Sequence, residues 1–270
     1  MIHAGAGLAR RLEGLVRAEC FCLAEVARTV LPGVPVECIQ VDSGAALWLG
    51  EGSPVNLAVA LGMDGPVEEA KLQQVETFYR GRGARPAISI CPLAHPSLLE
   101  GLGRRGWYAS DFEHVLVLEM GESWCGGGVQ PPMGLEIRVC APEERQLWGR
   151  LAAQGFSTGE SSEPGHQDFG AIMAARDDAI LVLAWVDGTA AGTGALTTAG
   201  GVGWLFGDTT VPQYRSRGIQ QALQRHRLSL AQAAGCELAV TEAAPGGASQ
   251  RNMERVGFRI AYTRVEFVKE

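Results

Sequence analysis

No C-x-x-C pair occurs in this sequence, although it holds seven cysteines. An odd number at positions 20, 22, 38, 91, 125, 140 and 236 suits neither a disulfide framework nor a zinc site. Most of them lie in apolar runs and read as small buried hydrophobes. A strongly basic run is missing too. The formal net charge of -7 argues against a general nucleic-acid binder, which needs a positive field toward phosphate. No stretch approaches the roughly 18 uninterrupted apolar residues of a membrane span. The start, MIHAGAGLARRLEGLV, lacks the long apolar core of a secretion signal. A soluble, cytoplasmic protein is expected. Also absent are H-E-x-x-H, the G-x-S-x-G elbow, a Walker loop and a G-x-G-x-x-G fingerprint, which removes several common enzyme classes.

What is present is 270 residues with 46% apolar content, enough for one large domain or two ordinary ones. The sharpest change of composition is GESWCGGGVQPPMG, residues 121–134. Three glycines followed by two prolines continue neither a helix nor a central strand, so a linker is expected there between domains 1–120 and 135–270.

In the second half, Leu135 to Val139 alternates as a strand, and Pro142 opens a helix through about Gln154. A polar loop follows, with Glu160, Glu163 and His166. A short helix is expected from Asp168 to Ala175. AILVLAWV, TAAGTGALTT and VGWLFGDTTV form an antiparallel meander with turns at Asp187-Gly188 and Gly200-Gly201. The next helix is expected from about Arg217, with Ile219, Leu223, His226, Leu230 and Ala233 on one face and Gly235 ending it. A strand CELAVTE, a helix near Ala248 to Val256 and an extended run GFRIAYTRVEFV close the chain. The first half follows a similar order: a helix over Leu8 to Val30, strands VECIQV, AALWL and NLAVAL, a helix Val67 to Arg82, then PAISIC, a short helix and GWYASDFEHVLVLEM. Gly106-Trp107 echoes Gly257-Phe258. The expectation is an α/β (α+β) chain built from two copies of one plan.

Arg215 and Arg217 sit oddly. A helix N-terminus carries about half a unit of positive charge and unpaired N–H groups, so basic residues there are mildly unfavourable. Either they are a solvated pair at an exposed helix end, or an anion offsets them. Backbone N–H groups of a strand-turn-helix corner converge on phosphate, and Gly218 permits close approach because it has no Cβ. Two guanidiniums then match a pyrophosphate.

This segment, Pro212-Gln-Tyr-Arg-Ser-Arg-Gly-Ile-Gln220, resembles the acetyl-CoA-binding motif of the GNAT acetyltransferase superfamily. Arg215 and Gly218 match the pattern, while Gln220 stands where the family has Gly or Ala. Ala248 to Phe258 is similar to the family's second signature, a helix ending in Gly-Phe. The resemblance is good over 135–270 and faint over 1–120. It implies two GNAT-like domains, each a mixed, mostly antiparallel sheet flanked by helices, with the acetyl-CoA site in the second only.

The reaction implied is direct attack of a primary amine (a small molecule or amino-acid-like acceptor) on the thioester of bound acetyl-CoA, in a ternary complex. The resemblance assigns the pantetheine and thioester to main-chain groups of Asp208, Thr209, Thr210 and Val211. It assigns the pyrophosphate to those of Arg215, Ser216, Arg217, Gly218, Ile219 and Gln220, and the pantetheine arm also to Ser249 and Asn252. Many family members carry a tyrosine as proton donor where this chain has Met253. Candidate proton-handling residues are Asp208, Glu242 and Tyr262, with Tyr214 nearby in sequence. Each also reads as an ordinary strand or packing residue. The departure at Met253 keeps open a non-catalytic CoA-binding or sensing module. A scaffold that merely keeps the fold would leave the two arginines unexplained.

Overall fold

Apolar residues spaced three and four apart between Leu8 and Val30 make a one-sided stripe, and the chain there is the long helix α1 (Ala6–Val30), with Leu12, Leu23 and Ala27 buried. The structure is a computed structural model that describes residues 5–121, 133–156 and 164–270. The chain forms two compact units: Met1–His114 with Ala261–Glu270, and Val115–Ile260. The linker expected at 121–134 falls within the second unit and lies largely outside the described residues.

In the first unit, α1 is followed by β1 (Glu37–Val41), β2 (Gly44–Trp48), β3 (Ala58–Val59), α2 (Glu69–Arg80), β4 (Ala87–Ile90), α3 (Pro96–Arg104) and β5 (Tyr108–Glu119). The β1–β2 and β2–β3 pairs are antiparallel and β3–β4 is parallel. The core gathers Trp48, Leu72, Tyr79, Ile88, Leu98 and Trp107. Tyr79 donates its hydroxyl to the Leu47 carbonyl at 3.1 Å, so burying the phenol leaves no polar atom unmatched.

The second unit runs from the end of β5 through β6 (Leu135–Val139), α4 (Arg145–Phe156), α5 (Pro164–Ala174), β7 (Ile180–Val186), β8 (Thr189–Ala199), β9 (Val202–Thr210), α6 (Ile219–Ala233), β10 (Leu238–Ala243) and α7 (Ala248–Val256). Here β6, β7, β8 and β9 form an antiparallel meander, and β10 joins β9 in parallel. The sheet is thus mixed and mostly antiparallel, as expected. A short 3-10 turn, Pro142–Glu144, precedes α4. Helices α4 and α5 cross through paired glycines: a Cβ on Gly149 would come within 2.7 Å of the Gly170 carbonyl oxygen. Leu196, Leu205, Leu228, Ala239, Met253 and Phe258 share the core between the sheet and α6 with α7.

The last strand, β11 (Arg259–Val268), starts in the second unit, but its pairing with β4 at Val265↔Ile90 to Val268↔Ala87 gives the final residues to the first. Among the described residues no helix is long and apolar enough to cross a membrane. Cys20, Cys91 and Cys236 are buried, and Cys22, Cys38 and Cys140 are half-buried.

Candidate functional site

The pairing of β8 with β9 runs regularly from Ala199↔Val202 to Ala195↔Phe206, then slips by one residue before Thr193↔Thr209. The extra residue is a β-bulge at Gly207, whose φ of +66° is open to glycine at little cost. A Cβ there would also meet the Trp148 ring at 2.9 Å. The bulge changes which face later side chains take, because strand side chains alternate. Leu205 packs on α6 through Leu228 and Ala231, and Asp208, three residues on, also faces α6 by pairing with Arg227. An odd separation on one face requires the bulge. Thr209 therefore turns to the other face, where Gly155 of α4 leaves it room: a Cβ on Gly155 would fall 1.6 Å from the Thr209 hydroxyl oxygen.

Strand β10 follows β9 only from Leu238↔Val202 to Val240↔Trp204. Both strands continue, β9 to Thr210 and β10 to Ala243, beyond that register. The backbone of β9 past Trp204 therefore has β8 as its partner and runs on without β10.

After β9 the Val211 N–H donates to the Ala191 carbonyl at 2.9 Å, and a 3-10 turn, Pro212–Tyr214, occupies the N–H groups of Tyr214 and Arg215. Ser216 (φ +64°) and Gly218 (φ +75°) are left-handed. The first helical N–H with a backbone acceptor is Ala222, to Gly218 at 3.1 Å. The N–H groups of Ser216 to Gln221 have no carbonyl partner among the described residues. Six donors in a turn leading into a 15-residue helix have the geometry to receive an anion. The helix begins at Ile219 rather than Arg217 because the left-handed Gly218 interrupts it, which places both arginines in the turn before it. Arg215 Nε donates to the Thr210 carbonyl at 3.3 Å, and the Arg217 guanidinium lies 5.4 Å from the Tyr214 ring centre. Both side chains are exposed.

Gln220 is tied to α7. Its Nε2 donates to Ser249 Oγ at 3.2 Å, and Asn252 Nδ2 donates to its Oε1 at 2.6 Å. The structure thus brings together three candidate cofactor residues, Gln220, Ser249 and Asn252, through their side chains. Gly257 (φ +121°) ends α7 and sends Phe258 into the core, fully buried. Met253 is buried in the same core.

Asp208 is held by Arg227, whose guanidinium is fully buried. Arg227 donates to the carbonyls of Leu223 (3.2 Å), Ala195 (3.0 Å) and Phe206 (3.0 Å), and to the Asp208 carboxylate. Gly194 clears its path, since a Cβ there would lie 2.7 Å from the guanidinium carbon. Burial raises the Asp208 carboxyl above its ordinary range, and the Arg227 charge works against that rise. Glu242 is half-buried near the end of β10. It alternates with Ala239 and Ala243, which face the α6–α7 core, and so stands on the other face. Tyr262 belongs to the first unit. There its hydroxyl donates to Glu13 at 2.7 Å beside Arg264, and burial and the Glu13 charge push its pKa far up. His166 and Asp168 lie on α5, while Glu160 and Glu163 lie outside the described residues.

Sequence reasoning missed two buried polar residues of α6. The buried face is Ile219, Leu223, Gln224, Arg227, Leu228 and Ala231. His226 and Leu230 are only half-buried and Ala233 is exposed, against expectation. The available signal was spacing: Gln224 and Arg227 fall between the apolar residues of the stripe.

Residues 146–258 match the acetyltransferase (GNAT) family. This part of the chain is a GNAT domain. No curated protein matches it in sequence. Among solved structures, a GCN5-related N-acetyltransferase from Kribbella flavida is similar with a TM-score of 0.63 and 20% identity, over 91% of this chain and 95% of that one. A second, from Sphaerobacter thermophilus, has a TM-score of 0.61 at 16% identity, covering 87% and 76%. A tandem GNAT protein from the clavulanic acid biosynthesis pathway has a TM-score of 0.60 at 16% identity, covering 84% and 79%. At these identities the likeness is one of fold, and it extends over both halves of the chain.

Proposed function

We propose that the second unit is an N-acyltransferase that moves an acetyl group from acetyl-CoA to a primary amine, small or amino-acid-like, by direct attack in a ternary complex in the cytoplasm. The observation that carries this reading is the corner from Ser216 to Gln221, where unpaired backbone donors and the exposed Arg215 and Arg217 lie at the head of α6. A pyrophosphate satisfies the donors and offsets the arginines. The backbone of Thr209, Thr210 and Val211 then lies along the pantetheine and thioester, where a main-chain N–H aimed at the carbonyl stabilises developing charge.

For the proton taken from the attacking amine, Glu242 is the better placed carboxylate, because Asp208 is committed to a buried guanidinium. Tyr262 spends its proton on Glu13 and is a poor acid at neutral pH. Thiol release from acetyl-CoA across a panel of primary amines tests the activity. Release with one or more amines supports it. A second reading, a CoA-binding or sensing module, is favoured by Met253, which is buried in the core at the position where family members carry a proton-donating tyrosine. Tight acetyl-CoA binding with no release across the panel would select that reading.

A further inference from the structure

Gln224 is 1% exposed, and neither its amide nitrogen nor its amide oxygen has a hydrogen-bond partner among the described residues. A primary amide left so is costly, since it has given up water for nothing in return. Its place in the fold says which way the stripe carrying it faces. One turn before it, Gln220 bonds Ser249 and Asn252 of α7. One turn after it, Leu228 packs with Met253, Val256 and Ala243. Residues four apart share a helix face, so Gln224 is on the side of α6 that meets α7 and β10. On β10 the buried Thr241 lies between Ala239 and Ala243 and faces the same side. This is the level at which β10 has left its register with β9, past Val240↔Trp204. Two buried polar side chains, Gln224 and Thr241, thus face this side, and Gln224 stands one helical turn further along α6 than Gln220.

We propose that the Gln224 carboxamide binds the pantetheine amides of CoA. Pantetheine carries two secondary amides in series, each with one N–H and one carbonyl. A carboxamide with donor and acceptor both unused complements them on either side. A phosphate group does not, because it offers acceptors only. The inference rests on the acyl-CoA reading above and adds to it a side chain that sets affinity for the arm rather than for the nucleotide.

The test is calorimetric titration of the full chain and its Gln224→Leu variant with two probes: CoA, and 3′-phosphoadenosine 5′-diphosphate, which keeps the nucleotide and pyrophosphate but lacks the arm. Leucine removes both unmatched atoms at similar size, so the variant should melt no lower than the wild type. The expected result is CoA binding about tenfold weaker, the scale of one or two net hydrogen bonds, with the nucleotide probe unchanged. Unchanged CoA affinity overturns the proposal and makes Gln224 a structural residue. Equal weakening of both probes also overturns it, since the effect then acts through the helix end. If the wild type binds neither probe, the acyl-CoA reading itself fails, and the proposal with it.

Discussion

Arg227 and Asp208 form a buried ion pair across the bulge of β9, and the same guanidinium donates to the Ala195 and Phe206 carbonyls on either side of the broken ladder. The pair therefore stands in for hydrogen bonds that the slipped register cannot make. Removing one partner of a buried pair leaves an uncompensated charge, at a cost of about 3–5 kcal/mol. Arg227→Met is expected to lose that much stability in urea denaturation. Adding Asp208→Asn should return at least half of the loss. Strictly additive losses would show that the two side chains are not coupled.

Arg217→Glu should weaken CoA binding at least tenfold while the melting temperature holds. A carboxylate at this turn suits the helix dipole but repels a pyrophosphate. Arg217 is exposed, with its guanidinium over the Tyr214 ring, so the fold is not expected to depend on it. Unaltered affinity in a folded variant would remove the phosphate site from the corner.

Glu242→Gln should lower turnover with the preferred amine by ~10²-fold or more, with acetyl-CoA affinity little changed. Full turnover in this variant would return the role of base to Asp208 or to solvent. Asp208→Asn, measured beside it, should lose stability as well as turnover, because its carboxylate partners Arg227.

One CoA per chain is expected. The matching helix of the first unit, α2, has Glu68 as N-cap and Glu69 in its first turn, and Glu69 already pairs with Arg104 and Arg105. That helix end meets its own dipole with its own carboxylates. A titration reaching two equivalent CoA molecules per chain would contradict this.

Stability should fall in acid through Glu76. Burial of this 2%-exposed carboxyl would raise its pKa, but hydrogen bonds from Arg105, Lys269 and Trp107 outweigh it and hold it at about 2. A depressed carboxyl adds stability that is complete above its unfolded pKa and is lost as the pH falls toward the folded one. Glu76→Gln should therefore cost on the order of 3 kcal/mol at pH 7. The gap between variant and wild type should close between about pH 4.5 and pH 2, as read from urea midpoints. A gap that does not vary with pH would mean the loss is one of shape alone.

Much of the secondary structure was legible because its causes are local. Alternation marked β6, and a dipeptide of glycines marked the turn before β9. The Gly-Phe pair marked the end of α7, since Gly257 needs a left-handed φ and Phe258 needs a core. The turn into α6 was legible from charge and glycine placement, although its helix starts two residues later than expected. The polar members of the α6 stripe were not. Apolar periodicity treats Gln224 and Arg227 as solvent-facing, whereas Arg227 is paid for by partners on β8 and β9 that are far away in sequence.

By itself, then, the chain determines its elements, their order, and the turn at Arg215 to Gly218, because spacing, glycine placement and capping act within a few residues. Only tertiary structure decides that Asp208 turns to Arg227 rather than to the opposite face. A one-residue bulge at Gly207 reverses the alternation, and no periodicity in the sequence announces it. Tertiary structure likewise decides that the last ten residues join the first unit, since the Val265↔Ile90 register is a contact between segments well over a hundred residues apart. Such a pairing depends on which strand edge is left open within the first unit, a property of its assembled sheet and not of any local stretch of chain.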